Sequence, residues 1–372
     1  MIPMRARDTA EQHRVATPLE LFFDLFFVVA VGAAAAQLHH AVAEKHLATG
    51  LVGYAIVFFA IYWAWLGYTW FASSYDTGDA FFRLMTLVVM AGIVILAAGV
   101  PKLFVQDFTL GVTGYVVMRV AMVIFWLRVA ADDPPRRKTA LRYAVGTTVV
   151  QLFWVGFLLV PAEWKLAFFV IGAIGDMVMP VYAELAGRTP WHPHHIAERY
   201  GLFTIIVMGE NVLALVGAVS EGAYWLAGSA LVVVFAIWWL YFDPPTPEIL
   251  RSNRDAIPWG YGHLVILGSV AAIGAGIEVG FDPEAHVSAL VKSMAVAVPV
   301  AVFVLTTWFL HIRPHGYGRR DDLCFVVAAV LVLLAAFTPV AVPLIAVIMA
   351  LLVAATALLR APRSSYPHSA HP

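Results

Sequence analysis

The chain has 372 residues, 62% of them apolar and only 13% charged, with a mean hydropathy of +0.83. Soluble domains run nearer about half apolar and about a quarter charged, so this composition excludes a single water-soluble core and predicts a polytopic membrane protein. Lys plus Arg is 23 against 24 Asp plus Glu, which leaves no bulk charge to draw nucleic acid, and the single Cys324 excludes an internal disulfide, a cysteine zinc cluster and a Cys-x-x-Cys redox motif.

Met1 to Thr17 is polar and the first apolar run continues past any processing site, so no cleavable signal peptide is expected. Cutting the rest at polar, proline or glycine punctuation predicts twelve membrane helices: 18–39, 51–72, 82–101, 108–130, 141–160, 164–185, 199–219, 222–242, 259–280, 288–311, 322–338 and 340–360. With the amino terminus in the cytoplasm, eighteen Arg and Lys fall in cytoplasmic segments against Lys45, Lys102, Lys165 and Lys292 outside, and Arg119 is left within a helix. That imbalance is what the positive-inside rule asks of a chain in the bacterial cytoplasmic membrane with both termini cytoplasmic. The end, 361–372, reads as a disordered cytoplasmic tail.

Self-comparison at an offset near 178 residues puts Glu20–Phe26 on Glu198–Thr204, Phe59–Trp63 on Phe235–Trp239, and Arg83-Leu84 on His263-Leu264. Two parallel six-helix repeats follow as the expected organisation: a cytoplasmic segment 1–17, a first repeat 18–185, a connecting loop 186–198, a second repeat 199–360 and the tail.

The blocks Leu19–Val28 (LELFFDLFFV), Tyr75–Asp79 (YDTGD), Glu198–Glu210 (ERYGLFTIIVMGE) and Tyr261–Leu264 closely resemble the bacterial low temperature requirement A (LtrA) family. The resemblance covers about 17–280 and implies a multipass integral membrane protein, tied by family name to growth in the cold, of unestablished molecular activity. Where that family often has Ser after the helix-seven glutamate, this chain has Asn211. A looser likeness to six-helix-repeat potassium channels stops at Phe22-Phe23-Asp24, because Glu20 stands where an arginine is expected, and no pore residue is carried over.

Charges inside the bilayer cost roughly 2.5–3.5 kcal/mol each on insertion scales, so each needs a partner, water or a task. Arg119, eleven residues into its helix, needs a carboxylate, and Asp24, Asp176 and Glu210 are the candidates. Glu20 and Asp24 share one helical face and repel, so a cation, a basic side chain such as Arg83 or Arg199, or a held proton must intervene. Glu20 also suits the start of a helix. Glu210 and Asn211 interrupt an apolar run beside Gly209, and Asp176 lies among glycines before Pro180 in a helix able to bend. These six residues, Asp24, Arg119, Asp176, Glu210, Asn211 and Glu20, are the candidate ion or solute site. Asp76, Asp79, Arg83, Glu198, Arg199 and His263 are candidate gate or structural charges, with Asp76 and Asp79 poised to cap helix three or to pair with Arg83.

The His192, His194 and His195 cluster reads as interfacial, His263 and His311 as lying near helix ends, and no lysine sits where a retinal would need one, so no metal and no cofactor are expected. Most tryptophans read as interface belts. No catalytic residue is assigned. The chain reads as a transporter or channel for a small solute, proton or cation, whose other partner is the lipid bilayer and whose oligomeric state the sequence does not specify. A membrane enzyme acting on a lipid or isoprenoid, with Asp132-Asp133 as a weak diphosphate-metal candidate, or an envelope sensor or scaffold, are the alternatives.

Overall fold

The computed structural model describes residues 2–8, 11 and 14–360; the tail 361–372 lies outside the described residues. Among them there are twelve α-helices and no strand: α1 (Pro18–Ala43), α2 (Leu47–Tyr75), α3 (Ala80–Phe104), α4 (Thr109–Asp132), α5 (Arg137–Phe157), α6 (Lys165–Glu184), α7 (Pro193–Ser220), α8 (Tyr224–Phe242), α9 (Asn253–Phe281), α10 (Ala289–Thr307), α11 (Arg319–Ala335) and α12 (Ala341–Arg360). Each sequence-predicted span falls on one of them. Ten are long and apolar enough to cross a membrane. The exceptions are α11, with 17 residues, and α5, which opens on Arg137-Lys138 and carries Arg142 and Gln151.

The main differences from the sequence reading lie at helix starts, where capping outweighs hydropathy. α7 begins at Pro193 rather than 199, since proline suits the first helical position and the His192 side chain accepts from the His195 amide at 3.3 Å. α9 begins in Asn253-Arg254-Asp255, polar residues that hydropathy assigns to a loop. α1 is closed by a capping box: Thr17 Oγ1 accepts from Glu20 N at 3.3 Å while Glu20 Oε2 accepts from Thr17 N at 2.8 Å.

α2 and α9 are buried over most of their length and form the centre with α1 and α7. On one side α1 packs on α2 and α3, then α3 on α4, α4 on α5 and α5 on α6; on the other α7 packs on α8 and α9, then α9 on α10, α10 on α11 and α11 on α12. α12 also packs along α8, whereas α6 makes no comparable contact with α2. α6 buries a single stripe, Gly172, Asp176, Met179 and Ala183. The space this leaves between α2 and α6 is where the cavities described below lie.

The starts of α1, α7 and α9 and the ends of α2, α4 and α6 share one Arg-rich end of the bundle, here the basic end. The amino-terminal segment is strapped across it. Arg14 donates to the carbonyls of Ser73 and Ala72 at the end of α2, Arg7 N donates to Ser74 O at 3.1 Å, Met4 N to Asp132 Oδ2 at 2.8 Å and Ile2 N to Asp79 Oδ2 at 3.1 Å. Asp79 also caps α3 through Phe82 N at 2.8 Å and takes Arg128 Nη2 at 2.7 Å. The Arg128 hydrogen bond, helped by those from Phe82 N and Ile2 N, holds its carboxyl well below the usual carboxylate range. A depressed carboxyl stabilises the strap above its ordinary pKa and loses that contribution as the pH falls toward the folded value. Acidification below about pH 4, or Asp79→Asn at neutral pH, is therefore expected to speed amide exchange at Ile2 and proteolysis near Arg5 and Arg7. Unchanged protection in Asp79→Asn would remove Asp79 as the anchor.

Candidate functional site

Three polar groups interrupt the apolar interior. The first lies at the basic end of the α1–α7 seam. Arg199 Nη2 donates to Asp24 Oδ1 at 2.7 Å, the Trp65 indole of α2 donates to the same oxygen at 2.7 Å, and all three side chains are fully buried. One turn nearer the end, Glu20 takes His195 Nε2 at 3.1 Å. The Glu20 and Asp24 pair is thus served from α7, by the Arg199 cation on Asp24 and the His195 imidazole on Glu20, and not by Arg83. Arg199 Nε and Nη1 find no hydrogen-bond partner among the described residues, so the layer is not fully bonded.

The second group is the Arg119–Asp176 pair. Arg119 Nη2 donates to Asp176 Oδ1 at 3.1 Å, and the Trp154 indole donates to Asp176 Oδ2 at 2.7 Å. Of the three carboxylates open to Arg119 from sequence, the geometry selects Asp176. The guanidinium lies 5.3 Å from the Tyr115 ring centroid, and the Tyr115 hydroxyl donates to Ala60 O on α2. A cavity of ≈ 80 Å³ on the basic side has Arg119 in its wall, and a cavity of ≈ 40 Å³ on the far side has Asp176 and Tyr115 in its wall. No residue lines both. The ion pair with Tyr115 is therefore a septum between two spaces stacked along α2, α4, α5 and α6.

The basic-side cavity is walled by Trp63, Trp70, Trp126, Tyr143, Trp191 and Tyr261. The carboxylate in its wall, Glu184, is saturated: it accepts from Tyr143 Oη at 2.9 Å, Thr189 N at 3.0 Å, Thr189 Oγ1 at 2.8 Å and Asn253 Nδ2 at 3.0 Å.

The third group lies where α1, α7 and α9 meet. Glu210 is half-buried and has no hydrogen bond or ion pair among the described residues; its oxygens sit 2.8 Å from where a Cβ would stand on Gly32 of α1. It feels the negative charge of Glu278 on α9, which approaches His39 at 3.7 Å, while His39 Nε2 meets Asp282 at 2.9 Å at the far end of the bundle. Asn211 is fully buried with neither side-chain atom partnered among the described residues, its Oδ1 3.4 Å from a Cβ position on Gly274.

A profile of the family described as Bacterial low temperature requirement A protein (LtrA) matches residues 15–359, nearly the whole chain. The chain belongs to the LtrA family. It is also similar to the uncharacterized protein RA0937 of Rhizobium meliloti (strain 1021), 25% identical over 293 residues that cover 73% of this chain and 70% of the relative. Two of the blocks that carried the family resemblance, LELFFDLFFV and ERYGLFTIIVMGE, are the facing stretches of α1 and α7, so the sequence features of the LtrA chain that stand out coincide with its buried charge layer and with Glu210.

The remaining candidates in this LtrA protein are tied down. Asp79 pairs with Arg128, not Arg83, which is exposed; Asp76 accepts from Gly78 N at 2.7 Å; Glu198 accepts from Ala16 N at 3.1 Å. Asp132 takes Met4 N and Asp133 pairs with Arg136 at 3.2 Å, which leaves neither as a spare acid at the interface. The histidine reading needs two corrections. His192 and His195 are buried, because the first turn of α7 folds them inward against the strap and Glu20. His263 and His311 are fully buried and touch, Nε2 to Nε2 at 3.1 Å. His263 Nδ1 donates to Trp259 O at 2.8 Å, which leaves the single lone pair of its Nε2 facing Tyr241 Oη and His311 Nε2, each at 3.1 Å. His263 is thus a packing group in an aromatic box and not a gate charge. Among the described residues no group of three or more His, Cys, Asp or Glu is placed to hold a metal.

Sequence reasoning missed Trp65, Trp154 and Tyr115. The interface-belt pattern does not single out either tryptophan, yet both donate to buried carboxylates. Of the duplicated aromatic pairs, Tyr62-Trp63 turns inward and Trp63 lines the cavity, while Trp238 and Trp239 are exposed at 47% and 45%.

Proposed function

We propose that this LtrA-family chain is a transporter or channel for a small solute or ion, with the Arg119–Asp176 pair as its closed gate and Glu210 as a site for a coupling proton or cation. One observation carries the reading: two cavities face each other across a single buried ion pair. A scaffold gains nothing from such an arrangement, and an enzyme would need a free acid or nucleophile at the interface. The basic end is read as cytoplasmic from the positive-inside rule, which places both termini on that side.

Two parallel six-helix repeats, α1–α6 and α7–α12, account for the order of packing. Consistent with this, the α1–α2 and α7–α8 turns carry the same backbone bonds at an offset of 177, a helix end that α3 also has at Gln106. Lys45 N bonds Val42 O and His46 N bonds Ala41 O, as Gly222 N bonds Val219 O and Ala223 N bonds Ala218 O, and Lys45 and Gly222 both have positive φ, 66° and 75°. The second repeat is closed by α12 against α8; the first lacks that closure and holds the route.

The test is flux in proteoliposomes against a panel of small organic acids, amines and inorganic cations. The double variant Arg119→Gln with Asp176→Asn keeps the shape of the pair without its charges. Expected is uptake by the wild type that the double variant loses. If no member of the panel moves faster than in protein-free vesicles, or if the double variant transports as the wild type does, the reading fails.

A further inference from the structure

We propose that the basic-side cavity binds a small monocarboxylate with an apolar or aromatic body, its carboxylate seated on Arg119 Nη1 where that atom faces the gap at Gly67; this rests on the transport reading and names its solute class. A guanidinium offers five N–H donors in a planar fork matched to carboxylate. Arg119 spends Nη2 on Asp176 and is also hydrogen-bonded to the Tyr115 hydroxyl. The helix that faces its other edge has a glycine there: a Cβ on Gly67 would meet nothing but Arg119 Nη1, at 3.6 Å. A gap of one side chain is thus left open over the one cationic group in the wall.

The rest of the cavity selects the body of the ligand. Seven aromatic side chains, Phe71 with the six named above, suit a planar apolar group. Glu184 offers a ligand no acceptor site, since it already accepts four hydrogen bonds, so Arg119 Nη1 is left as the polar group that meets a ligand's head. A volume of ≈ 80 Å³ holds roughly six waters, the scale of a small acid and not of a lipid or nucleotide. A carboxylate arriving end-on, on Nη1 and the second N–H of Nη2, competes with Asp176 for the same guanidinium, so occupancy loosens the septum. Asp176 keeps its Trp154 hydrogen bond when released.

The experiment titrates the purified full-length protein in detergent with benzoate, reading the fluorescence of the wall tryptophans, with benzyl alcohol as the neutral analogue and benzylamine as the cation. Expected is a saturable change with benzoate that weakens at least about tenfold for both analogues and for Arg119→Gln, the loss of a charge-assisted contact. Since Arg119→Gln strands Asp176, Gly67→Leu is the companion variant. It favours the helix, leaves the ion pair whole and covers Nη1, and it is expected to lose benzoate equally. No saturable benzoate binding, equal affinity for benzyl alcohol, or full binding in Gly67→Leu overturns the proposal. Binding without any flux in vesicles upholds this site and defeats the transport reading. Flux of a cation that depends on Arg119 and Asp176, with no benzoate binding, does the reverse.

Discussion

Arg199→Leu is expected to cost about 3–5 kcal/mol of stability, enough to lower the unfolding temperature in detergent sharply and to cut the yield of folded protein. Leucine matches the apolar surroundings, so the loss comes from what it abandons. Asp24 is left fully buried with only the Trp65 indole, and Glu20, one turn away, loses the positive charge that offset its own. Adding Asp24→Asn to Arg199→Leu is expected to recover most of the loss, because a neutral amide can keep the indole bond without an uncompensated charge. Thermal unfolding of the wild type, both single variants and the double completes the cycle. A double variant no more stable than Arg199→Leu alone would mean that Arg199 stabilises through packing and not through Asp24.

That cycle also marks where the sequence stopped being readable. Helix number and position were legible because a bilayer forces every backbone polar group into a hydrogen-bonded helix about 20 residues long, and apolar runs of that length are hard to mistake. The carriers of buried charge were legible for the same reason, since each intramembrane Asp, Glu or Arg is costly. Their pairing was not. Arg119 had three carboxylates to choose from, and only the close packing of α4, α5 and α6 around Asp176 decides it. Trp65 and Trp154 were hidden because a tryptophan inside a helix and one at its end have the same hydropathy, and the indole N–H marks itself only when a carboxylate lies 2.7 Å away. His263 and His311 are 48 residues apart in sequence and meet through a π-turn, Trp308–Ile312, that no apolar pattern encodes. Nothing in the sequence around Gly67 marks it, because its neighbour Arg119 Nη1 comes from α4, 52 residues on, and is brought there by packing alone.

Glu210→Gln is expected to move stability and activity in opposite directions. Unlike Asp24, Glu20 and Asp176, Glu210 meets no basic group among the described residues, and the nearest charge it feels, Glu278, is negative. Removing its charge therefore strands nothing and relieves like-charge repulsion together with part of the cost of a carboxylate in hydrocarbon, a gain of the order of 1 kcal/mol. Such a residue is kept in spite of stability, which is the usual mark of a site that serves binding. If it holds the coupling proton or cation, Glu210→Gln abolishes gradient-driven uptake in proteoliposomes, down to the protein-free rate, while the unfolding temperature rises. Gly32→Ala gives the complementary result by sterics, since its Cβ would stand 2.8 Å from both carboxylate oxygens and must displace them. A Glu210→Gln variant that unfolds earlier than the wild type would show that the carboxylate has a structural partner after all. One that transports at the wild-type rate would move the coupling group elsewhere, with Glu278 and His39 along the same seam next in line.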